Sequence, residues 1–193
     1  IIGRAVADLL GESHDVVNIS RTSGDYRVDA RSLDSIEAMY AAIGPFDALV
    51  TVIGSATMGS IYRLSSDDFL NAFRLKVLSQ IDLMRLGLKT IRPGGSFTLS
   101  SGVLNKEPMR GYSAVGMPNG AIDSFVSTVA LDLKDGLRVN CVSPVFVRET
   151  MEKAGVTDPG SLPVQSAADT ARAYAACVEG NFTGRDIDPR ALT

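Results

Sequence analysis

Residues that build metal and disulfide sites are scarce in this sequence. The 193 residues include two cysteines and one histidine, and tryptophan is absent. Cys141 and Cys177 stand far apart in apolar stretches, so we expect two small buried side chains rather than a disulfide. His14 has no second histidine to form a cluster with, and no cysteine lies at metal-ligand spacing from it, so no metal site is expected.

Strong charge and long apolar runs are also missing. The formal net charge is -3 with no basic stripe, so neither nucleic acid nor an anionic membrane is expected as a partner. No apolar run has transmembrane length and no signal peptide is evident, so the sequence predicts a cytoplasmic protein. Its 45% hydrophobic and 21% charged residues are typical of a globular domain.

Apolar runs typical of buried parallel strands alternate with helical patterns along the chain. We predict helices over 3–10, 35–43, 68–90, 118–134 and 167–178, and strands over 16–20, 28–29, 47–53, 96–101, 137–142 and 185–187. This alternation predicts a single α/β domain over residues 1–193, with a Rossmann-like, doubly wound, mostly parallel sheet and helices on both faces. Because the sequence opens directly on a helix, we expect a further strand before it, so that the domain is N-terminally incomplete.

Small and hydrogen-bonding residues follow the predicted strands, where ligands bind in sheets of this kind. They are Ser20, Arg21, Thr22, Asp29, Gly54, Ser100, Ser101, Ser143 and Pro144. The stretch Arg138–Pro144 reads Arg-Val-Asn-Cys-Val-Ser-Pro and closely resembles a strand motif of the short-chain dehydrogenase/reductase family. The resemblance extends over nearly the whole chain, and it implies an NAD(P)-binding Rossmann domain with oxidoreductase activity.

The resemblance also implies a set of cofactor-binding residues. Gly3 matches the last glycine of the family's glycine-rich turn, although a glycine needed only for packing is the alternative. Gly54 is the glycine retained from the family's Asn-Asn-Ala-Gly motif, and Asp29 matches an aspartate that commonly touches the adenine edge. Pro144 and Val147 belong to the loop that normally meets the nicotinamide, where Val145 replaces an expected glycine.

Arg21 favours NADP(H) over NAD(H) as the cofactor. It follows the second strand, where an acidic residue would bind the ribose of NAD and an arginine suits the 2′-phosphate of NADP. The hydroxyls of Ser20 and Thr22 can add donors to the guanidinium fork. The alternative is a solvated surface arginine.

The catalytic pair of the family, a tyrosine followed four residues later by a lysine, is not regular here. Tyr112 resembles the tyrosine, but Gly116 stands four residues on. Counting back from the following helix puts Val115 at the tyrosine position and Asn119 at the lysine position, and Pro118 predicts that the helix begins only there. Asn119 can bind a ribose hydroxyl but carries no positive charge.

A serine and two cations complete the candidate catalytic set. Ser101 matches the serine that orients the substrate carbonyl, with a serine that binds only backbone or cofactor as the alternative. Our count puts Arg74 where the family has an active-site asparagine on the long helix, which we expect Ser66 or Asp67 to cap. Arg74 or Lys76 could supply substitute charge, unless both are solvated or salt-bridged.

Three functions remain open from the sequence. The first is an NADP(H)-dependent oxidoreductase of divergent type, with Ser101, Tyr112 and Asn119 as its catalytic residues. The second is a non-catalytic NADP(H)-binding or redox-sensing module, and the third is a structural domain with no cofactor. The segment 146–162 suggests a small, partly apolar carbonyl or alcohol substrate, and the apolar helices 68–90 and 118–134 suggest a homodimer or homotetramer.

Overall fold

A computed structural model describes residues 1–156 and 162–192 of the chain. Its helices are α1 (Ile2–Leu10), α2 (Leu33–Ile43), α3 (Ser66–Phe73), α4 (Ser79–Gly87), α5 (Ser113–Val129), α6 (Arg148–Lys153) and α7 (Ala167–Glu179). Its strands are β1 (Ile19–Ser20), β2 (Tyr26–Arg27), β3 (Phe46–Val50), β4 (Ile91–Ser100), β5 (Arg138–Val142), β6 (Phe146–Val147), β7 (Val164–Gln165) and β8 (Asp186–Ile187). A π-helical turn, Arg74–Leu78, joins α3 to α4, and short 3-10 turns span Val103–Asn105 and Pro189–Leu192.

The central sheet has four parallel strands in the order β3-β4-β5-β8. Two further parallel pairs, β1-β2 and β6-β7, lie outside it. Parallel neighbours require a crossover, and α3 and α4 link β3 to β4 while α5 links β4 to β5. The predicted Rossmann-like α/β class is therefore confirmed, whereas the strand expected before α1 stays a prediction.

Alternate residues of the central strands face different helices. Phe97 and Leu99 of β4 pack with Val139 and Cys141 of β5 in a core that also contains Val77, Met84, Ile122 and Val126 from the helices on that face. On the other face, Val142 packs with Tyr174 of α7 and with Val6 and Leu10 of α1. This two-residue alternation of fully buried side chains is what a sheet covered on both faces requires.

The strand that carries the family resemblance makes structural bonds with its polar residues. The Arg138 guanidinium donates to the carbonyls of Cys177 and Val178 at the end of α7. The buried Asn140 amide donates to the Phe182 carbonyl and accepts from the Arg185 N–H, which fixes the connection that leads into β8. These bonds give Arg138 and Asn140 a role in the fold that is independent of any ligand.

Two helix predictions are wrong in detail. Helix α5 begins at Ser113 rather than at Pro118, with Tyr112 as its N-cap residue. Pro118 is thus the sixth residue of the helix, beyond the first turn that tolerates proline, and it has no N–H to bond the carbonyl four residues earlier. The buried side chain of Ala114 packs the turn before it, and this tertiary packing outweighs the local cost of the proline. The long helix is capped by Ser65, in a capping box with Asp68, and not by Ser66 or Asp67.

The π turn that interrupts the long helix is held by the buried side chain of Gln80. The Gln80 Oε1 accepts from the Ser100 N–H at 2.7 Å and from the Thr51 hydroxyl at 2.5 Å. The Gln80 Nε2 donates to the carbonyls of Lys76 at 2.7 Å and Ser100 at 3.0 Å. One amide therefore ties the π turn to β4 and to the residue that follows β3.

No helix among residues 1–156 and 162–192 is long and apolar enough to cross a membrane.

We expect Gln80→Ala to lower the free energy of unfolding by about 3 kcal/mol or more, because it leaves several buried polar groups without partners and opens a cavity. Urea unfolding followed by circular dichroism measures the change. Gln165→Ala is the matched control, since the Gln165 side-chain oxygen has no hydrogen-bond partner in the described part of the chain. Equal losses in the two variants would contradict this role for Gln80.

Candidate functional site

A cleft of about 360 Å³ opens at the carboxyl ends of β3, β4 and β5. Residues that follow each strand line it, together with side chains from the π turn and from α5. They include Gly54, Lys76, Ser101, Gly102, Val115, Asn119, Pro144, Val145, Phe146 and Val147. Doubly wound sheets bind their ligands at this end of the strands. We refer to this hollow below as the cleft.

Ser101 lies at the bottom of the cleft, just beyond the last residue of β4. Its N–H donates to the Val142 carbonyl at 2.8 Å, which keeps the chain in register with β5 after the strand ends. Its hydroxyl donates to the Asn119 carbonyl at 3.0 Å. The sequence-predicted Ser101 and Asn119 are thus brought into direct contact, and the serine hydroxyl oxygen still has lone pairs to accept a hydrogen bond.

The Asn119 amide is fully buried, and its oxygen has no hydrogen-bond partner among the described residues. Gly102 makes the room for it, because a Cβ at position 102 would lie 2.8 Å from the Asn119 Nδ2. A buried polar atom without a partner is costly, and it is commonly explained by a water or a ligand. The amide of Asn119 is therefore available to bind a ligand hydroxyl in the cleft.

Lys76 reaches the cleft from the π turn. Its Nζ donates to the Ser101 carbonyl at 2.7 Å, and its aliphatic stem passes Gly54, where a Cβ would lie 3.1 Å from the Lys76 Cδ. Burial lowers the pKa of the Lys76 ammonium to about 8, with the nearby Asp123 opposing the shift. Arg74, in contrast, is exposed and does not line the cleft.

The distribution of charge in the cleft differs from the one that the family resemblance implies. The resemblance places an asparagine on the long helix and a lysine on the helix that follows β4. In this chain the long helix supplies Lys76 and α5 supplies Asn119, and both line the cleft. The cation and the amide have therefore changed places between the two helices.

Tyr112 lies next to the cleft rather than in it. Its ring packs edge-on against Phe146, with 6.0 Å between ring centroids, and lines a neighbouring hollow of about 720 Å³ with Ser60, Ile61 and Tyr62. One turn further along α5, Val115 faces the cleft and offers no proton donor. The structure therefore joins Ser101, Asn119, Gly54, Pro144 and Val147 at one site but leaves the tyrosine hydroxyl outside its lining.

The residues expected to bind the adenosine half of a cofactor lie near the ends of β1 and β2. Arg21 is exposed and makes no hydrogen bond or ion pair with the described residues. Ser20 accepts from the N–H groups of Ser23 and Thr22 and so shapes the turn that presents Arg21. Asp29 accepts hydrogen bonds from the side chain and backbone of Arg31, which lower the pKa of its carboxyl to about 2.

Gly3 lies in the first turn of α1, against Val52. A Cβ at position 3 would lie 3.8 Å from the Val52 Cβ, which is an ordinary contact distance. Packing within the described chain therefore does not require a glycine at this position.

A partly buried polar cluster that was not predicted from the sequence lies on the Cys141 face of the sheet. A carboxylate oxygen of Asp123, the Sγ of Cys141 and a carboxylate oxygen of Asp186 lie within 4.8 Å of one another. Asn105 donates to Asp123, and Lys106 forms an ion pair with Asp186. Burial raises the pKa of the Asp123 carboxyl, while the nearby Ser101 hydroxyl and the hydrogen bond from Asn105 oppose the rise. In the sequence, the cluster is indicated only by the position of Asp123, one helical turn after Asn119.

Comparisons with known proteins agree on the kind of protein. A sequence profile described as "Enoyl-(Acyl carrier protein) reductase" matches residues 4–177. The solved structure of protein lin1944 from Listeria innocua is 35% identical with a TM-score of 0.91, over 97% of this chain and 93% of that one. A small-chain dehydrogenase solved in complex with NADPH is 26% identical with a TM-score of 0.82, over 97% and 90%.

Curated sequences match over shorter stretches. The short-chain dehydrogenase/reductase ucsE from Acremonium sp is 32% identical over 101 residues, which are 51% of this chain and 38% of that protein. Across the first three such relatives, the match covers 38%, 43% and 56% of their length, so the chain spans about half the length of the curated relatives it matches.

We expect Gly102→Ala to lower the free energy of unfolding by about 1–3 kcal/mol, because the new methyl group displaces the Asn119 amide. Thermal unfolding measures the loss. In the control Gly59→Ala, the Cβ meets Leu64 at 3.5 Å, an ordinary contact, and the change should stay within about 0.5 kcal/mol. If Gly102→Ala is as stable as the control, Asn119 is not confined as described.

Proposed function

We propose, because this chain belongs to the short-chain dehydrogenase/reductase family of oxidoreductases, that it transfers hydride between NADP(H) and a small carbonyl or alcohol substrate. The observation that carries the proposal is the cleft itself. Ser101, Asn119 and Lys76 meet there at the strand ends, and the buried Asn119 oxygen lacks a partner among the described residues. A few polar groups within an apolar cleft, one of them an amide oxygen without a partner among the described residues, are typical of a ligand site.

The residues near β1 fit the phosphorylated end of the dinucleotide. The Arg21 guanidinium is exposed and unpaired within the described residues, so its donors are free for a 2′-phosphate, with the hydroxyls of Ser20 and Thr22 beside it. Gly3 is not explained by packing, which supports a close approach of a ligand to the start of α1. The NADPH bound to the 26% identical small-chain dehydrogenase also supports the choice.

The other end of the dinucleotide would lie in the cleft, beside Gly54, Pro144 and Val147. When bound, it supplies or accepts the hydride. The Asn119 amide would bind a ribose hydroxyl. The Ser101 hydroxyl would turn its hydrogen from the Asn119 carbonyl to the oxygen of a carbonyl substrate. Asp29 would stay near the adenine, with its carboxylate oriented by Arg31. In this proposal Tyr112 lies at the edge of the cleft, where its ring contacts Phe146.

The substrate class follows from the apolar wall of the cleft. Val115, Val145, Phe146 and Val147 surround the polar groups, and they favour a small and partly apolar substrate. The sequence suggests the same substrate class from the segment 146–162, of which residues 157–161 lie outside the described residues. The cytoplasmic location expected from the sequence stays a prediction.

A second candidate function is an NADP(H)-binding module without catalysis. The specific observation that favours it is Val115, an apolar residue facing the cleft one turn before Asn119, where the family resemblance implies the catalytic tyrosine. Both candidates require the dinucleotide, so binding is the first property to measure.

We expect Arg21→Ala in the full-length protein to weaken NADPH binding about tenfold to a hundredfold, as the loss of a charged hydrogen bond to phosphate predicts. NADH affinity should change little, because NADH lacks the 2′-phosphate. Since residues 1–193 contain no tryptophan, the emission of the reduced nicotinamide gives a clean titration signal, with calorimetry as a second measurement.

The control is Arg92→Ala, which removes an exposed arginine paired with Asp47 at the opposite end of the sheet. It should leave the affinities for NADPH and NADH unchanged. Failure of the natural protein to bind either dinucleotide would reject both candidate functions. An equal loss for NADPH and NADH in Arg21→Ala would reject the 2′-phosphate assignment.

We also expect the protein to form a homodimer or homotetramer through its long helices. Leu70, Leu78, Leu88 and Met117 are each 40–49% exposed on α3, the π turn, the end of α4 and α5. An isologous contact between these helices would bury the exposed apolar side chains. Light scattering should give two or four times the chain mass, and a monomer mass at micromolar concentration would contradict the assembly.

A further inference from the structure

Lys76 presents an ammonium group with unused hydrogen-bonding capacity to the cleft. A lysine ammonium has three N–H donors, and the Lys76 Nζ makes one hydrogen bond within the described residues, to the Ser101 carbonyl. The remaining donors lie in a cleft whose other polar side chains include Ser101, Asn119 and Thr150. A partly buried ammonium with so few partners is poorly solvated, so it is well disposed to donate to an oxygen that enters the cleft.

The substrate oxygen would lie within reach of this group. The carbonyl oxygen and the hydroxyl oxygen of one serine are roughly 3–4 Å apart, depending on the backbone and side-chain torsions. Since the Lys76 Nζ is 2.7 Å from the Ser101 carbonyl, Nζ lies no more than about 7 Å from the Ser101 hydroxyl, and an oxygen placed between them would be within hydrogen-bond distance of each. One ligand atom can therefore contact both groups.

The other titratable group that lines the cleft is poorly suited to proton transfer. Tyr174 is fully buried, its hydroxyl is paired with Ser100 at 2.6 Å, and burial raises its pKa. Tyr112 lines the neighbouring hollow, and Val115, Ser101 and Asn119 have no acidic proton to give near neutral pH. Lys76 is the titratable group of the described cleft that combines exposure to the ligand with free donors.

The charged groups around Lys76 keep it near its titration point. The Asp123 carboxylate of α5 raises its affinity for the proton, whereas burial lowers it more strongly. Cys141 of β5 is an uncharged thiol beside them, because burial raises its pKa. The resulting pKa is about 8. A group that titrates close to the working pH exchanges protons efficiently in both directions.

We propose that Lys76 is a catalytic residue that donates the proton to the substrate oxygen during carbonyl reduction, in place of the missing tyrosine. This inference rests on the proposed hydride transfer. The carbonyl carbon takes the hydride that bound NADPH supplies, and the electron pair of the C–O π bond takes a proton from the Lys76 Nζ. The N–H bonding pair stays on the amine, which recovers its proton from solvent, and alcohol oxidation reverses each step.

A pH-dependent rate follows with opposite signs for the two directions. Reduction requires the protonated ammonium, so its rate should fall as the pH rises through about 8. Oxidation requires the neutral amine, so its rate should rise over the same interval.

The first experiment measures Lys76 without relying on activity. Residues 1–193 include five lysines, and NMR of protein labelled with ¹³C at the lysine Cε gives one signal for each. The signal that disappears in Lys76→Arg identifies Lys76. It should titrate near pH 8 rather than at the ordinary value of about 10.4. A Lys76 signal that titrates at the ordinary value would overturn the proposal.

The second experiment uses the full-length protein with 9,10-phenanthrenequinone and 2,3-butanedione as carbonyl probes. Lys76→Met should lower kcat by about a hundredfold or more and abolish the fall in rate near pH 8, with the Kd for NADPH changed less than about twofold. Lys76→Arg keeps the charge and should retain NADPH binding, but its guanidinium does not release a proton, so the same fall is lost. Lys89→Met, which removes an exposed lysine beyond α4, is the control and should behave like the natural protein.

Each alternative has its own outcome. Full activity and an unchanged pH profile in Lys76→Met, with loss of both in Tyr112→Phe, would overturn the proposal and assign the proton to Tyr112. Weakened NADPH binding with unchanged kcat and pH profile would make Lys76 a cofactor-binding residue and also overturn it. NADPH binding without turnover of either probe would reject proton donation in favour of the non-catalytic module, whereas no NADPH binding would reject the proposed function itself.

Discussion

The side chain of Gln80 must satisfy four hydrogen-bonding requirements in a part of the molecule that water does not reach. The end of β4 needs partners for the N–H and carbonyl of Ser100, and the π turn leaves the Lys76 carbonyl to be paired. A single primary amide meets these needs and also accepts from Thr51. The position of the long helix on the sheet is therefore fixed at the point where the cleft opens. Lys76 lies one turn before Gln80, so the same hydrogen bonds also fix where its side chain enters the cleft.

The electrostatics of the site divide along the sheet. The cleft contains a cation and an amide, and its walls are apolar. The carboxyls of Asp123 and Asp186 lie beside Cys141 and are already engaged by Asn105 and Lys106. Ser101 stands between these two regions, bonded to α5 through the Asn119 carbonyl and close to Asp123. The negative charge of Asp123 favours the protonated form of the cleft lysine.

Much of the fold could be predicted because the largely apolar run at 47–53 and the alternating apolar residues at 96–101 and 137–142 indicate strands. Ser101 and Asn119 followed from their places at the end of such a strand and on the next helix, and the structure brings them into contact. The start of α5 was misjudged because Pro118 is a strong local signal, whereas the buried packing of Ala114 is a tertiary one. The Asp123 cluster requires β5 and β8 to converge, which no local pattern announces.

Lys76 and Arg74 show that a π turn makes it unreliable to assign cleft-facing positions by counting residues along a helix. An α-helix turns about 100° per residue, and a π turn accommodates one more residue in its ring than an α-turn does. Positions after the turn are therefore rotated relative to an uninterrupted helix. In evolutionary terms a π turn is equivalent to a one-residue insertion. If a sequence alignment places the gap on the wrong side of residues 74–78, it pairs Lys76 with an exposed residue of the homologue. The residue that corresponds to Lys76 in a homologue can therefore be identified only when the gap is placed at the π turn.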